Sequence, residues 1–270
     1  MTTLALKLVL TPALIAIATL SGRRWGPSIG GWLVGLPFTS GPVSLFLALE
    51  QGTSFAASAA AGSIAGAAAA ALFAVVYAAL SRVVGWPATL AGSSLSFLFA
   101  IFALRMLPLG SDLPAPLLPL YLATLAVCAI STWLIADPGA LSAAVSAPRW
   151  DLPARMVVAT ALVVAITTAA PLLGPQLTGL LTTYPIYASV LAVFAHAQRG
   201  PVAAIHVIRG LCFGLLAFAS FFFAIGSLVD RVGIPIAFAC AIAAALVVQT
   251  LTLARLRSEG SASPTGSRSP

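Results

Sequence analysis

Charge is what this sequence has least of. Of 270 residues only 13 are basic and 6 acidic, 7% in all, where a soluble domain carries roughly 25%. A chain that is also 60% hydrophobic cannot cover itself with polar surface, which excludes an ordinary soluble fold. Cysteine is scarce too: Cys128, Cys212 and Cys240 lie inside apolar runs, with no Cys-x-x-Cys pair and no Cys/His cluster. They read as small buried hydrophobes, so neither a disulfide framework nor a metal centre is expected. Lysine occurs once, as Lys7 at a helix start, which excludes a Schiff-base retinal protein. No Asp or Glu falls in the middle of an apolar run. A carboxylate proton relay of the pump type and a paired-carboxylate catalytic site are therefore not visible, and with no nucleophile–base constellation neither an enzyme nor a cofactor is expected.

What is there is a succession of apolar runs of about 20 residues, long enough to cross a hydrocarbon core of roughly 30 Å. Nine spans are predicted, at 4–20, 29–49, 55–80, 86–107, 117–136, 152–170, 173–197, 202–228 and 233–253. This is the pattern of an all-α polytopic membrane protein. The first run has the look of a signal peptide, but no small-x-small cleavage site precedes Arg23, so it reads as a structural helix. The +7 formal charge is the signature of basic cytoplasmic loops rather than of a nucleic-acid partner. With the N-terminus outside, the inner face receives Arg23, Arg24, Arg82, Arg149, Arg155, Arg199, Arg255, Arg257 and Arg268, the outer face only Lys7, Arg105 and Arg231. Trp25, Trp86, Trp133 and Trp150 fall at the same inner boundary, as an aromatic belt. The expected orientation in a bacterial inner membrane is N-out, C-in.

Residues 7 to 87 repeat 148 residues later without a gap. Gly26-Pro27 returns as Gly174-Pro175, Gly31 as Gly179, Pro37 as Pro185, Gly52 as Gly200, Gly62 and Gly66 as Gly210 and Gly214, and Gly85 and Pro87 as Gly233 and Pro235. Nine of the fifteen glycines and prolines in the window recur, where roughly one would by chance. The organisation is thus repeat 1 over 1–110, a connecting fifth helix and loop over 111–148, repeat 2 over 149–257 and a Ser/Gly/Pro-rich disordered tail over 258–270. Five helices before the second copy turn it upside down, giving two inverted-topology repeats.

The second helix of each repeat is the unusual one. Pro37 and Pro185 each remove an amide donor and clash one turn back, so spans two and seven are broken near their middles. Freed backbone groups in a membrane must find side chains, water or a ligand. Broken helices at matching places in two halves point to a transporter site. Thr39 and Ser40 beside the first break, and Thr183, Tyr184 and Tyr187 beside the second, would line it together with the prolines. Arg209, two turns into its helix, is the cationic candidate for an anionic solute group. Glu50, at the end of a broken helix, and His196 are candidate proton carriers, with a solvated loop acid and a packing histidine as the plainer alternatives. Lys7 and Arg155, equivalent in the repeat, read as snorkelling residues.

Gly62-x-x-x-Gly66 and Gly210-x-x-x-Gly214 permit close helix approach, within the fold or, secondarily, across a homodimer. The stretch from Gly31 through Pro37 to Glu50-x-Gly52 resembles small bacterial inner-membrane proteins of the GlpM type. The resemblance implies a membrane protein and names no substrate. The expected function is a secondary transporter or exporter of a small polar solute, anionic solutes included, with membrane lipids as its other partners. A channel or facilitator, and a non-transporting lipid-interacting or assembly protein, are the alternatives.

Overall fold

The computed structural model describes residues 2–37, 40–106, 117–136, 138–139, 148–165 and 183–261. Among them every regular element is a helix: α1 (Thr2–Trp25), α2 (Pro27–Val34), α3 (Ser40–Gln51), α4 (Thr53–Leu80), α5 (Trp86–Met106), α6 (Leu117–Leu134), α7 (151–165), α8 (Ile186–Arg199), α9 (Pro201–Val232) and α10 (Ile234–Ser261). Five of these, α4, α5, α6, α9 and α10, contain stretches long and apolar enough to cross a membrane. The chain is a multi-pass helical membrane protein. Of the predicted nine spans, 29–49 is divided into α2 and α3, and much of 173–197 lies outside the described residues. α10 continues to Ser261, past the expected start of the tail at 258.

Helix boundaries fall where backbone chemistry demands. Gly52 (φ 91°) precedes α4 and Gly200 (φ 80°) precedes α9. A side chain at positive φ is strained, so glycine is required at both corners. No atom lies within 4 Å of where a Gly200 Cβ would sit, so Gly200→Ala tests the backbone alone. It is expected to cost about 1–2 kcal/mol of stability, measured by thermal unfolding of purified protein. A loss below a few tenths would show that the corner tolerates other conformations.

α4 and α9 form the centre. α4 contacts α3, α5, α6 and α9, and α9 contacts α2, α8, α10 and α6. They are antiparallel. Ala56, Ala60 and Ile64 from the start of α4 share a core with Phe221, Ile225 and Val229 from the end of α9. Ala70, Ala74 and Ala78 share the other core with Ala203, Ile205 and Ile208. Between lipid tails there is no hydrophobic drive for helices to associate, so van der Waals contact of small residues carries the interface. The alanines of α4 supply that surface on one helix, and on the other Gly226, where a Cβ would come within 3.3 Å of the Ala60 Cβ. Trp25, Trp86, Trp133 and Trp150 are all exposed, whereas Trp32 is buried.

The neighbour pattern repeats with the sequence. α3 on α4 is matched by α8 on α9, α4 on α5 by α9 on α10, and α3 on α10 by α8 on α5. The turn at Gly35-Leu36-Pro37 recurs at Thr183-Tyr184-Pro185. Gly41 N–H donates to the Pro37 carbonyl at 2.8 Å, and 148 residues on Ser189 N–H donates to that of Pro185 at 2.8 Å. α6 stands outside this correspondence and touches both central helices.

Candidate functional site

At the first break, Leu36 N–H closes α2 on the Leu33 carbonyl at 3.1 Å, and Pro37, with no donor, ends the ladder. Gly35 lies against Gly214 of α9 so closely that a Cβ on Gly35 would come within 2.5 Å of the Gly214 Cα. At the second break Thr183 lies against Gly66 of α4, where a Gly66 Cβ would come within 2.5 Å of its methyl carbon. Ser40 opens α3, and its carbonyl accepts the Ser44 hydroxyl at 2.8 Å. Thr39 lies outside the described residues.

The second break gathers a polar and aromatic group. The Tyr184 hydroxyl is 2.8 Å from that of Ser94 on α5, and its ring meets Phe73 and Phe97 edge-on at 5.7 and 5.3 Å. One turn on, the Tyr187 hydroxyl donates to Thr11 of α1 at 3.3 Å. Two sequence-predicted residues therefore tie the second break and α8 to α5 and α1. Nearby, His196 presents its ring edge-on to Tyr77 at 6.3 Å. The Tyr77 hydroxyl and His196 Nδ1 are both buried without a hydrogen-bond partner. Arg209 sits on the stretch of α9 that packs on α2, next to Gly210, which lies on Ser28 and Trp32. Glu50 is exposed at the end of α3. The structure thus brings Thr183, Tyr184 and Tyr187 together around α1, α4 and α5, while Pro37 and Ser40 lie at the first break, between Gly35 on Gly214 and Gly41 on Phe221, and Glu50 stands apart.

A second constellation was not anticipated by sequence. Asp151, fully buried at the start of α7, accepts from Arg23 of α1 at 2.8 Å, from Arg155 Nε at 2.9 and 3.0 Å, and from the Gln198 side chain of α8. Arg155 is itself buried, with its guanidinium 5.0 Å above the Phe194 ring. The expectation that Arg155 snorkels is corrected here: a buried carboxylate one turn back holds it inside. Burial alone would push the Asp151 carboxyl up, but hydrogen bonds from Arg23, Arg155 and Gln198 hold it below the ordinary carboxylate range. A cavity of about 50 Å³ opens beside this cluster, lined by Thr19, Arg23, Asp151, Arg155, Gln198 and Arg199 among others. The i, i+4 pairing of Asp151 with Arg155 was legible; the contribution of Arg23 from 128 residues away was not.

The same end of the bundle is fastened by two further polar links. The Gly139 carbonyl can only accept, so His206 donates to it from Nε2 at 3.1 Å and takes the Ser28 hydroxyl on Nδ1 at 3.2 Å. Buried Trp32 donates to Thr252 at 3.0 Å, and Gln249 donates back to the Trp32 carbonyl at 3.3 Å, joining α2 to α10. No cluster of His, Cys, Asp or Glu with metal-binding geometry occurs among the described residues. Comparison with known proteins finds no matching family model, no matching curated protein and no matching solved structure.

Proposed function

We propose that the chain is a secondary transporter of a small polar solute, working in a bacterial inner membrane by alternating access between two inverted repeats. One observation carries the reading. Gly35 sits on Gly214 and Thr183 sits on Gly66, and a shift of 148 residues converts each pair into the other. Reciprocal contact of this kind is what a two-fold axis produces. Because the equivalent helices α4 and α9 are antiparallel, that axis runs across them, in the membrane plane, which is the geometry of inverted repeats. Each helix break is then seated on the central helix of the other repeat. Rocking one repeat against the other opens first one end of the path between them and then the other, while the breaks stay near the middle.

The residues that meet the solute are those flanking the breaks: Pro37, Thr39 and Ser40 on one side, and Thr183, Tyr184, Pro185 and Tyr187 on the other. Tyr184 bonds Ser94 and Tyr187 bonds Thr11. Arg209 supplies positive potential from α9. His196, beside the buried Tyr77 hydroxyl, is the better placed of the two proton carriers, since Glu50 is exposed. Arg23, Arg155 and Arg199 share one end of the bundle, which supports a cytoplasmic placement for that end.

A thermal-shift screen of purified protein against amino acids, organic anions, sugars and cations tests the reading. A stabilising solute should lose at least about tenfold in apparent affinity in Tyr184→Phe and Tyr187→Phe, since a site built to bond a polar group is left with that group unpaired. Its counterflow in vesicles should fall in step. Binding untouched by either change, or transport that survives replacement of both Pro37 and Pro185, would move the site elsewhere.

A further inference from the structure

The structure assigns a binding site for one anionic phospholipid to the rim where α1 ends and α7 begins. Arg24 and Trp25 close α1, and Arg149 and Trp150 form the turn that leads into α7. These two Arg-Trp steps are far apart in sequence, and the 2.8 Å ion pair from Arg23 to Asp151 brings them to one place. All four residues are exposed, Trp25 to 61% and Trp150 to 59%. The Arg24 guanidinium lies 5.6 Å from the centre of the Trp25 ring. Asp151 is fully buried and takes Arg23, Arg155 and Gln198, so its charge is offset within the fold and not at this surface. Glu50 and Asp230 stand at the far end, before α4 and at the close of α9. Guanidinium forks suit the paired unesterified oxygens of a phosphodiester, and tryptophan belongs at headgroup level.

What lies below the arginines makes the occupant a lipid rather than a soluble phosphate or a nucleic acid. On α1 the exposed positions Val9, Ala13, Ile17 and Leu20 run up to Arg24 at helical spacing. That stripe is about 22 Å long at roughly 1.5 Å per residue, beyond the roughly 15 Å depth of one leaflet's hydrocarbon. On α7 Val157, Val158 and Leu162 are exposed and lead away from Trp150. Each Arg-Trp step thus caps an apolar lane for acyl chains, with the phosphate held by the two arginines. The arrangement is not copied by the duplication. At the positions 148 residues away, Arg24 and Trp25 correspond to Leu172 and Leu173, and Arg149 and Trp150 to Met1 and Thr2. The lipid therefore fastens α1 to α7 at one face of the membrane, where it anchors the start of the second repeat.

This surface is separate from the helix breaks, and its test needs no transported solute. Thermal midpoints of the full chain in detergent are followed as phosphatidylglycerol, phosphatidylcholine or sn-glycerol 1-phosphate is added at constant ionic strength. Phosphatidylglycerol should stabilise saturably, whereas the zwitterionic lipid and the chain-free headgroup should not. Arg24→Gln and Arg149→Gln should each raise the half-saturating concentration about fivefold, which corresponds to the roughly 1 kcal/mol that one basic residue gains at an anionic membrane surface. Both arginines are exposed, so the variants fold, and the double variant should lose more than tenfold. Arg231→Gln, exposed at the other end of α9, should leave the titration unchanged. Equal stabilisation by the two lipids, stabilisation by glycerol phosphate to the same extent, or a half-saturation that Arg231→Gln shifts as far as Arg24→Gln does would overturn the site.

Discussion

Replacing Asp151 by asparagine is expected to destabilise the protein by about 3–5 kcal/mol, the cost of leaving buried guanidiniums without their counter-charge. Among the described residues Asp151 is the single carboxylate in contact with Arg23, Arg155 and Gln198, and it ties together helices from both halves of the chain. Arg155→Gln should cost nearly as much, and the double variant much less than the sum, because the second change removes a charge the first had stranded. Arg23, about a third exposed, should contribute least. Thermal unfolding of the three single variants gives the ranking directly. The pH dependence follows with a definite sign. The folded Asp151 carboxyl lies below its ordinary value, so its stabilisation is complete above about pH 4, the unfolded carboxylate pKa, and is lost as pH falls through the folded value. Wild type should therefore lose stability on acidification more steeply than Asp151→Asn. Parallel acid limbs would place the stabilisation elsewhere.

Gly210→Ala is the second large effect. A Cβ at Gly210 would run into the Ser28 carbonyl and come within 2.8 Å of the Trp32 amide nitrogen, and one at Gly214 would meet the Gly35 Cα at 2.6 Å. Both obstacles are backbone, so no side chain can swing aside, and α2 must move off α9. Overpacking of this kind costs about 1–3 kcal/mol, and more where the backbone is pinned. Here α2 is pinned by the Ser28–His206 and Trp32–Thr252 bonds. Gly210→Ala should sit at or above about 3 kcal/mol and Gly214→Ala beside it. Both should also impair solute binding, because displacement of α2 moves the Gly35-Leu36-Pro37 turn. Stability within a few tenths of wild type in Gly210→Ala would mean that α2 and α9 do not approach as closely as the structure has them.

What could be read from sequence was what glycine and proline dictate. Pro37 cannot continue a helix, and α2 ends at Val34; Pro185 immediately precedes α8. Gly52 and Gly200 recur at the repeat distance because both corners need positive φ. Composition settled the helical membrane class, since a chain with so little charge has few other ways to bury its backbone. Side-chain partnerships across the fold were another matter. Nothing local says that Arg23 reaches Asp151, or that Arg155 turns inward rather than to the interface, because periodicity reports which face of one helix is apolar and not which helix lies opposite. The small-residue motifs were read as close-packing faces, and the structure shows what three of their glycines meet: Gly66 the Thr183 side chain, Gly210 the backbone at Ser28 and Trp32, and Gly214 the backbone at Gly35 and Trp32.

Single-cysteine labelling decides whether the second repeat is inverted. In a background with Cys128, Cys212 and Cys240 replaced, Gln51→Cys and Ala197→Cys place one thiol at each of two exposed helix ends, just before Gly52 and just before Gly200. A membrane-impermeant maleimide is applied to intact cells and to inverted vesicles. The thiol at position 51 should react from outside and the one at 197 only from the cytoplasmic face. Labelling of both from the same face would show the repeats to be parallel, and alternating access between inverted halves would fall with it.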